Sequence, residues 1–571
     1  MDNKKIAKIF SEIAKILELK GENPYRVRAY QKASRVLESL AEDVKILAEK
    51  NQLESIPGIG KDLAEKIKEI IKTGSLSQYE KLKKETPSGL LKMMEIPGLG
   101  PKTAKLIYEK LGIDSLERLE EAVKKGRLKR LEGIREKTEE NILRGIEMFK
   151  KGRERKPLYI ALEVANKFLN ELKKLKEVKR IEIAGSLRRR KETVKDIDIL
   201  VVSSHPSKVM KKFVNLEWVK EVIACGDTKS SIISKEADLQ VDLRVVDKDS
   251  FGSALLYFTG SKEFNIKFRQ IAQRRGWKIN EYGVFDEKDK KIAGKTEEEI
   301  FQLMKMQYII PEMREDRGEI ELALAGKLPK VISLKDIKGD FHVHSLYSDG
   351  VSSIREIALK AKELGYEFVG ICDHSQGLKV ANGLSPERVE KKIEEIRRLN
   401  EELGGIKILC GSEVDILNDG SLDYPDSVLK KFDVVIAAIH YGFKQSKSQL
   451  TKRIVSACKN KYVNIIAHPT GRLFGQREEY PLDWEEIFKA AKDNNVALEI
   501  NTYPNRLDLS DLNCIRAKKE GVKIALGSDA HFLDEMRFMD LGVSVARRAG
   551  LEKKDVVNAW SLEEIIRWLK K

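Results

Sequence analysis

Several features that define large classes of protein are absent from this sequence. The chain has 571 residues but only five cysteines, which are widely spaced and form no Cys-x-x-Cys pair. This pattern argues against a disulfide framework and against a structural zinc knuckle. No apolar run approaches the roughly 18 residues that a membrane-spanning helix needs, and the N-terminus lacks the apolar core of a signal peptide. We therefore expect a soluble protein of the reducing cytoplasm with no membrane partner.

Proline is also scarce, with 14 residues, whereas apolar residues make up 41% and charged residues 35% of the chain. This composition is typical of a globular protein, and at roughly 150 residues per domain the length predicts about four domains. The formal net charge is +16, and residues 340–571 are close to neutral. The basic residues 1–339 therefore predict a polyanionic partner such as nucleic acid. The alternative is that Lys and Glu merely alternate on solvated helix faces.

The periodicity of the apolar residues changes twice along the chain. Residues 1–150 show the helical period, with apolar residues three and four apart. From about residue 158 to about residue 324, β-like runs alternate with helical segments, which indicates an α+β unit. Seven short apolar runs then recur, each followed by a helical or loop segment. This rhythm predicts a βα barrel.

One internal repeat marks the helical region. Ile-Pro-Gly-Ile-Gly-Lys at residues 56–61 returns as Ile-Pro-Gly-Leu-Gly-Pro-Lys at residues 96–102, and residues 131–135 form a degraded third copy. Each copy precedes a helical pattern, so the glycines predict a tight turn that leaves backbone N–H groups free at a helix N-terminus, where they can hold a phosphate oxygen. The repeat resembles the helix-hairpin-helix motif, which implies non-specific binding to the DNA backbone. The residues that we expect to contact DNA are Gly58, Gly60, Lys61, Gly98, Gly100 and Lys102.

Two aspartates begin a strongly apolar strand pattern in the α+β unit. Asp196 and Asp198 are two residues apart, so a strand places both carboxylates on one face, and Asp242 lies in a second apolar run. Three carboxylates suit two Mg²⁺ or Mn²⁺ ions that support phosphoryl transfer. Upstream, the segment Gly185–Arg189 is placed to hold a triphosphate. The alternative is that an Asp-x-Asp sequence is only the solvated end of a strand.

A further segment narrows this interpretation. Gly-Ser, Asp-x-Asp and a distant strand aspartate are the pattern of the nucleotidyltransferase superfamily, and Tyr-Phe-Thr-Gly-Ser at residues 257–261 resembles the nucleotide-selection motif of the family X DNA polymerases. The resemblance covers residues 1 to about 320 and includes the helix-hairpin-helix repeats. It implies that Asp196, Asp198 and Asp242 bind the catalytic metals, and that Asp242 helps to deprotonate the primer 3′-hydroxyl.

The same resemblance implies how the incoming nucleotide is held. Ser186 and Arg189 would contact the β and γ phosphates. Tyr257 and Phe258 would contact the sugar, and Asn265 the minor-groove edge of the new base pair. The implied nucleotide-binding residues are Gly185, Ser186, Arg189, Tyr257, Phe258, Gly260, Asn265 and Arg269.

Three positions of the sequence depart from the family pattern. Gln240 stands in place of an arginine two residues before the third aspartate, and Lys262 stands in place of an aspartate near the incoming base. The N-terminal region resembles the deoxyribose-phosphate lyase domain of the same family, in which Lys66 matches the Schiff-base lysine. Here Asp62 replaces a lysine that helps to bind the 5′-phosphate. The resemblance thus implies a lyase activity, whereas a lysine on an exposed helix is ordinarily just solvated.

Histidine is nearly confined to residues 340–571, which contain six of the seven. Each of the six lies at or just past the C-terminal end of a predicted strand, and in a βα barrel these ends converge on one face. With three carboxylates they predict a multinuclear site for Zn²⁺, Mn²⁺ or Fe. A single strand-end histidine is more often a packed residue, but nine such groups in one cleft are not explained in that way. The nine are His342, His344, Asp349, His374, Glu413, His440, His468, Asp529 and His531.

In order and spacing these nine residues resemble the ligands of the polymerase and histidinol phosphatase (PHP) family, a metal-dependent phosphoesterase barrel. The resemblance covers residues 340–571 and implies three metal ions and phosphoester hydrolysis. It assigns His342, His344, Glu413 and Asp529 to one ion, Glu413, His440 and His468 to a second, and Asp349, His374 and His531 to a third.

Both halves together resemble the bacterial family X DNA polymerases that carry a C-terminal PHP domain. This implies a monomeric DNA polymerase that uses deoxynucleoside triphosphates to fill short gaps in base excision repair, with a barrel that removes 3′-terminal nucleotides or damaged 3′ ends. The alternatives are a phosphatase of small phosphate esters with a DNA-binding front half, a non-enzymatic DNA-end scaffold, and a template-independent nucleotidyltransferase.

The predicted fold is multidomain, with an all-α helix-hairpin-helix region, an α+β nucleotidyltransferase palm and a distorted (β/α)7 PHP barrel. The predicted boundaries are a lyase-like DNA-binding domain at 1–88, a second helix-hairpin-helix domain at 89–150, the palm at 151–250, a nucleotide-selection subdomain at 251–324, a linker at 325–339 and the barrel at 340–571.

Overall fold

The chain folds into two units, residues 1–154 and residues 155–571. The structure is a computed structural model that describes all residues except 1–2, 41–42, 57, 95, 97–98, 129–130, 132–133, 135–137, 139–141, 144–145, 147–154 and 475. Six residues of the predicted hairpin repeats therefore lie outside the described residues: Pro57, Pro97, Gly98, Glu132, Gly133 and Arg135.

The first unit is helical wherever secondary structure is described, as the 3.6-residue apolar period predicts. One hydrophobic cluster joins residues from Ile6 to Tyr79, and a second is formed mainly by residues from Leu90 to Ile146. The helices are α1 (Asn3–Lys20), α2 (Pro24–Ser39), α3 (Val44–Glu49), α4 (Lys61–Thr73), α5 (Ser77–Lys84), α6 (Ser88–Met93), α7 (Pro101–Leu111) and α8 (Leu116–Lys124).

The second unit begins with the palm, a five-stranded sheet in the order β2-β4-β7-β6-β5 in which β4 and β7 are parallel neighbours. Alternate residues of β7 are buried, and β4 also buries the four consecutive residues 199–202. The strands are β1 (Lys156–Pro157), β2 (Val178–Ile183), β3 (Thr193–Val194), β4 (Asp196–Ser203), β5 (Val219–Cys225), β6 (Lys229–Ser234) and β7 (Gln240–Val246). The helices are α9 (Leu158–Lys173), α10 (Gly185–Arg188) and α11 (Pro206–Val214).

A smaller subdomain follows the palm and has its own hydrophobic cluster, in which Phe264, Phe268 and Phe301 pack together. Its three short strands form an antiparallel sheet. The elements are α12 (Phe251–Thr259), α13 (Lys262–Gln273), β8 (Lys278–Asn280), β9 (Gly283–Phe285), β10 (Lys291–Ala293), α14 (Glu297–Leu303) and α15 (Glu319–Leu324).

The segment that we predicted to be a linker is packed against the barrel. Ile332 and Ile337 are buried, and the backbone N–H of Ile332 donates to the carbonyl of Leu551 at 2.8 Å. Removing these two apolar side chains from water stabilises the packed position of the segment. The segment therefore joins the palm and the barrel without a flexible hinge, and one hydrophobic cluster continues through both.

The barrel consists of seven parallel strands in chain order, as predicted. Hydrogen bonds join its first and last strands, because the N–H of Asp529 donates to the carbonyl of His342 at 2.8 Å and that of His344 to Ala530 at 2.9 Å. The strands are β11 (Gly339–Val343), β12 (Phe368–Ile371), β13 (Lys407–Asp415), β14 (Val434–Ala438), β15 (Ile465–Ile466), β16 (Ala497–Asn501) and β17 (Ile524–Gly527). The helices are α16 (Ile354–Glu363), α17 (Pro386–Glu402), α18 (Asp426–Leu429), α19 (Lys447–Lys459), α20 (Trp484–Asp493), α21 (Asp511–Glu520), α22 (Met539–Arg548) and α23 (Leu562–Leu569).

Candidate functional sites

The three aspartates of the palm lie on its two central strands. Asp196 and Asp198 are the first and third residues of β4, and Asp198 is paired in register with Asp242 of β7. Ile197 and Val241 alternate with them and are fully buried. Because side chains alternate between the two faces of a strand, the three carboxylates share one face of the sheet, opposite Ile197 and Val241.

The loop before these strands approaches the carboxylates closely. Gly185 begins α10 with a φ of +66°, and a Cβ at this position would lie 2.4 Å from Oδ2 of Asp198. Glycine is the residue that meets both requirements, since it has no Cβ and adopts positive φ readily. The Gly-Ser turn and the carboxylates thus border one cleft.

Burial, and then repulsion from Asp196 and Asp242, raises the pKa of Asp198 to about 7. Divalent cations relieve such repulsion, and a set of carboxylates is the donor type that Mg²⁺ and Mn²⁺ prefer. The triad therefore fits the predicted ions in its donors and electrostatics. Among the described residues, the three aspartates do not form a set whose ligand oxygens all lie within 4.8 Å of one another. Gln240, one of the family departures, donates from Nε2 to Oδ1 of Asp242 at 2.7 Å.

The two arginines of the loop are both held by acidic residues. Arg188 makes two hydrogen bonds to the carboxylate of Glu297, at 2.8 and 2.7 Å. Arg189, the predicted phosphate ligand, is buried and donates from Nε to Oε1 of Glu315 at 3.0 Å. It also donates to the carbonyl of Thr259. The phosphate loop is therefore fastened to the nucleotide-selection motif through Arg189.

The predicted nucleotide-selection residues lie on α12, on α13 and in the turn between them. Asn265 donates from Nδ2 to the carbonyl of Tyr257 at 2.7 Å, and Arg269 donates from Nε to the carbonyl of Asn265 at 3.2 Å. The ring of Phe258 lies under the guanidinium of Arg244. In the turn, a Cβ on Gly260 would lie 3.2 Å from Nη1 of Arg189. The structure therefore brings this motif and the phosphate loop together.

The hairpin repeats of the first unit form equivalent turns. The N–H of Ile59 donates to the carbonyl of Ile56 at 3.0 Å, and that of Leu99 to Ile96 at 3.1 Å. Gly60 and Gly100 are the residues immediately before α4 and α7, and a Cβ on either would meet no atom within 4 Å. The helix N-termini that follow them, which begin at Lys61 and Pro101, are open to a phosphate group. In the third copy, Ile134 donates to Leu131 in the same manner at 3.0 Å.

The proposed lyase lysine is held in a mostly buried position. The side chain of Lys66 is 16% exposed, and its Nζ forms an ion pair with Asp62 of the same helix. The ring of Tyr30 lies 5.6 Å from this Nζ. The amine must break this ion pair before it can act as a nucleophile.

The nine predicted ligands of the barrel surround one buried cleft at the C-terminal ends of the strands. Glu413 lies at its centre, with Oε2 3.1 Å from Nδ1 of His374 and 3.4 Å from Nε2 of His342. Its Oε1 is 2.8 Å from Nε2 of His468 and 3.2 Å from Nε2 of His440. Mixed imidazole and carboxylate donors at these distances match the ligand types of Zn²⁺, Mn²⁺ and Fe sites.

The ligand atoms form three overlapping sets. The members of each set lie within 4.8 Å of one another: His344, Asp349, His374 and His531; His342, His344 and Asp529; and His374, Glu413 and His440. These sets differ from the implied assignment because His374 and His344 each belong to two of them. His468 is absent from the third set, although it contacts Glu413.

Three polar residues that the sequence reasoning missed support these ligands. Glu499 accepts from Nδ1 of His342 at 2.7 Å, and Asp415 pairs with Nδ1 of His440. The Nδ2 of Asn501 donates to Asp529 at 3.0 Å. Such partners orient a metal ligand and set the histidine tautomer. Glu499 and Asn501 stand two residues apart at a strand end, the same signal that revealed the palm aspartates.

The electrostatics of the cleft favour the metal-binding protonation state for the carboxylates but not for every histidine. Burial alone would raise the pKa of Glu413, but the charges of His440, His342 and His374 outweigh it and hold the pKa well below its ordinary value. Burial lowers the pKa of His374 to about 3. Burial also disfavours the charged form of His440, but Glu413 and Asp415 outweigh it and raise the pKa of His440 to about 10. His440 must therefore release a proton when it ligates a metal. A carboxylate and a neutral imidazole are the forms that ligate metals.

Comparison with known proteins follows the same division of the chain. Residues 1–76 match a helix-hairpin-helix domain, residues 90–147 a SAM-like helix-hairpin-helix tandem, residues 254–315 the DNA polymerase beta thumb and residues 340–503 the PHP domain. Over its full length the chain is 42% identical to the DNA polymerase/3′-5′ exonuclease PolX of Bacillus subtilis (strain 168), with 100% of both chains covered.

The chain belongs to the bacterial family X DNA polymerases with a C-terminal PHP domain. Other relatives share a shorter part of this family X chain. A probable phosphatase of Thermoanaerobacter sp. (strain X514) is 34% identical over 38% of this chain and 89% of its own length. A probable phosphatase of Acetivibrio thermocellus is 31% identical over 41% of this chain and 95% of its own length. Among the described residues of the family X chain, no helix is long and apolar enough to cross a membrane.

Proposed function

We propose that this chain fills short DNA gaps as a DNA-directed DNA polymerase and processes 3′ ends with a 3′-5′ exonuclease in its barrel. One observation carries the proposal. A single chain, related over its full length to PolX, contains both a palm carboxylate triad and nine clustered barrel ligands. Each arrangement suits a different phosphoryl chemistry.

In the palm, Asp196, Asp198 and Asp242 hold Mg²⁺ or Mn²⁺. When bound, these ions supply charge neutralisation for nucleotidyl transfer from a deoxynucleoside triphosphate. Asp242 helps to take the proton of the primer 3′-hydroxyl, since it lies on the strand next to the Asp-x-Asp pair. Asp198 lies directly against Gly185 of the phosphate loop.

The nucleotide is held between the phosphate loop and α12. Ser186 and Arg189 bind the β and γ phosphates, and Tyr257 and Phe258 pack against the sugar. Asn265 reads the minor-groove edge of the new pair, which its position beside Tyr257 supports. Gly185 and Gly260 keep the loop and the turn free of side chains, and Arg269 holds the helix that carries Asn265.

In the barrel, the nine ligands hold three divalent ions of Zn²⁺, Mn²⁺ or Fe. When bound, these ions supply the Lewis acidity for phosphoester hydrolysis. The set of His344, Asp349, His374 and His531 includes the implied third-ion ligands. Glu413 would be a ligand of the other two ions, which its four histidine neighbours support.

The first unit holds the DNA on both sides of a gap through Gly58, Gly60, Lys61, Gly100 and Lys102. The open helix N-termini after Gly60 and Gly100 support this role, and Gly98 belongs to the same motif. Contacts with the backbone alone suit a monomeric repair enzyme, which must act at any sequence in base excision repair. The five unpaired cysteines support a reducing compartment, the cytoplasm.

One gel assay tests both activities. A 5′-labelled primer on a one-nucleotide-gapped duplex is incubated with Mg²⁺ or Mn²⁺, with and without deoxynucleotides. We expect template-matched extension that is lost in Asp242→Ala and primer shortening that is lost in His344→Ala, each variant keeping the other activity.

Two outcomes would replace the proposal. Hydrolysis of a small phosphate ester without extension would favour a phosphatase with a DNA-binding front half. Tight binding to gapped DNA that is unchanged in both variants, with no turnover by the wild-type chain, would favour a non-enzymatic scaffold. Untemplated extension would identify a template-independent nucleotidyltransferase.

A further inference from the structure

The barrel contributes a buried arginine to the phosphate loop of the palm. Arg548 ends helix α22, and its side chain is 2% exposed. Its Nη1 donates to the backbone carbonyl of Arg189 at 2.7 Å and to Oε1 of Glu315 at 3.0 Å. The same Oε1 accepts the hydrogen bond from Nε of Arg189 at 3.0 Å. One carboxylate is therefore shared between a barrel arginine and the arginine that we place against the triphosphate.

The other end of this guanidinium is anchored within the barrel. The Nη2 of Arg548 donates to Oδ2 of Asp511 at 2.7 Å, and Arg317 donates to the same oxygen at 2.9 Å. With Arg189 and Glu315, the network contains three guanidinium groups and two carboxylates, so it has a net positive charge. Positive charge beside a phosphate loop favours a polyanionic ligand.

A second barrel arginine holds the far end of the same loop. Arg472 makes two hydrogen bonds to Glu192, at 3.0 and 2.8 Å, and its side chain is 6% exposed. Paired hydrogen bonds of this kind fix position as well as charge. The barrel therefore contacts the loop from Gly185 to Glu192 through Arg548 and Arg472, and Asp540 of α22 adds an ion pair with Arg190 at 3.5 Å.

We propose that Arg548 is a positioning residue of the polymerase reaction, through which the PHP barrel sets the affinity of the palm for the incoming nucleotide. Arg548 shares Glu315 with Arg189 and fixes the backbone of Arg189. Without Arg548, Glu315 is left with Arg189 and with Lys191, whose Nζ lies 3.9 Å from Oε2 of Glu315. Glu315 then neutralises more of the positive charge that the triphosphate needs. This inference rests on the proposed contact between Arg189 and the triphosphate.

Steady-state gap filling by the full chain tests the proposal. With one-nucleotide-gapped DNA, Mg²⁺ and the deoxynucleotide that matches the template, Arg548→Met is expected to raise KM for the nucleotide roughly tenfold. The value of kcat should change by less than about twofold, because the palm carboxylates are untouched. Primer shortening by the same preparation with Mn²⁺ and no nucleotide should keep its wild-type rate.

The matched control is Arg547→Met. Arg547 precedes Arg548 on the same helix and also pairs across the domains, with Glu312 at 2.8 Å, but contacts neither Arg189 nor Glu315 in the described structure. It should leave KM for the nucleotide unchanged. In a Glu315→Gln background, Arg548→Met should raise KM by less than it does in the wild-type chain, because the shared carboxylate is gone and only the hydrogen bond to the backbone of Arg189 remains to be lost.

A uniform loss would overturn the inference. If Arg548→Met lowers kcat and primer shortening together at unchanged KM, or if Arg547→Met raises KM equally, Arg548 only stabilises the domain contact. If Arg548→Met does not fold, Arg548→Lys keeps the charge but not the paired hydrogen bonds, and a rise in KM of about threefold is expected. An unchanged KM in that variant would refute the proposal. A wild-type chain that extends no primer would instead refute the proposed polymerase function.

Discussion

Replacing Gly185 with alanine is expected to disable the palm and spare the barrel. The new Cβ would lie 2.4 Å from Oδ2 of Asp198, whereas such contacts are ordinarily about 3.5 Å, so the carboxylate must move by about 1 Å. A displacement of this size in an active site lowers a rate roughly 100-fold, which is about 2.7 kcal/mol of activation free energy. The positive φ of this residue adds about 1–2 kcal/mol of strain to the fold.

Gly326→Ala separates the steric clash from the strain. Gly326 has a φ of +68°, but a Cβ there would meet no atom within 4 Å. Both variants should lose a similar amount of stability in thermal unfolding, whereas only Gly185→Ala should lose single-turnover gap filling. Primer shortening should survive in both. If the two variants extend DNA equally well, or if Gly185→Ala also loses primer shortening, the placement of Asp198 against the phosphate loop is refuted.

Four further results are expected. Glu499→Gln should weaken metal binding by the barrel roughly 10–100-fold, measured as the Mn²⁺ midpoint of primer shortening; an unchanged midpoint would contradict the role of Glu499. Burial raises the pKa of Glu319 from 4.5 to about 7. Between these two pH values the folded state retains a proton that the unfolded state releases. The free energy of unfolding should therefore fall by about 3 kcal/mol as the pH rises through this range. Glu319→Gln should reduce the difference in urea unfolding between pH 5 and pH 8, and an equal difference would exclude this cause. Lys61→Ala should weaken DNA binding equally for all sequences and reduce the slope of log affinity against log salt by about 1; a sequence-dependent loss would argue against backbone binding. Borohydride should trap the chain on nicked abasic DNA and Lys66→Ala should prevent it, whereas no adduct with the wild type would end the lyase hypothesis.

We expect the polymerase site and the exonuclease site to keep a fixed position relative to one another, because both lie in the second unit. The palm, the smaller subdomain and the barrel share residues 155–571, and buried ion pairs connect them. Buried pairs of this kind are costly to break from one side, because the remaining charge is left uncompensated. The phosphate loop and the barrel should therefore stay in register during the polymerase cycle.

The candidate sites were largely predictable because their chemistry follows local rules. Asp196 and Asp198 share a face through the two-residue period of a strand, and the histidines of the barrel follow strand ends that converge in this fold. Gly58 revealed the first hairpin turn because its φ is +91°, which few residues other than glycine adopt. Strand existence was also predictable, but strand ends were less so. The apolar run at residues 406–410 predicts a shorter strand than β13, which continues to Asp415.

Other features depend on residues that are far apart in sequence. Arg472 and Glu192 are separated by 280 positions, and nothing local to either predicts their pairing. The overlap of the metal-ligand sets at His344 and His374 likewise depends on side-chain directions inside the closed barrel. Local periodicity predicts which side chains face the cleft, but not the distances between them.

The sequence by itself determined the order of the domains, the residue types of both sites and the membership of the barrel ligand cluster, because periodicity and motif spacing are local properties of the chain. Only the tertiary structure decided which groups support the ligands, as with Glu499, and how Arg548, Glu315 and Arg189 join the barrel to the phosphate loop. These contacts arise from packing between distant segments, where burial makes each charge require a partner.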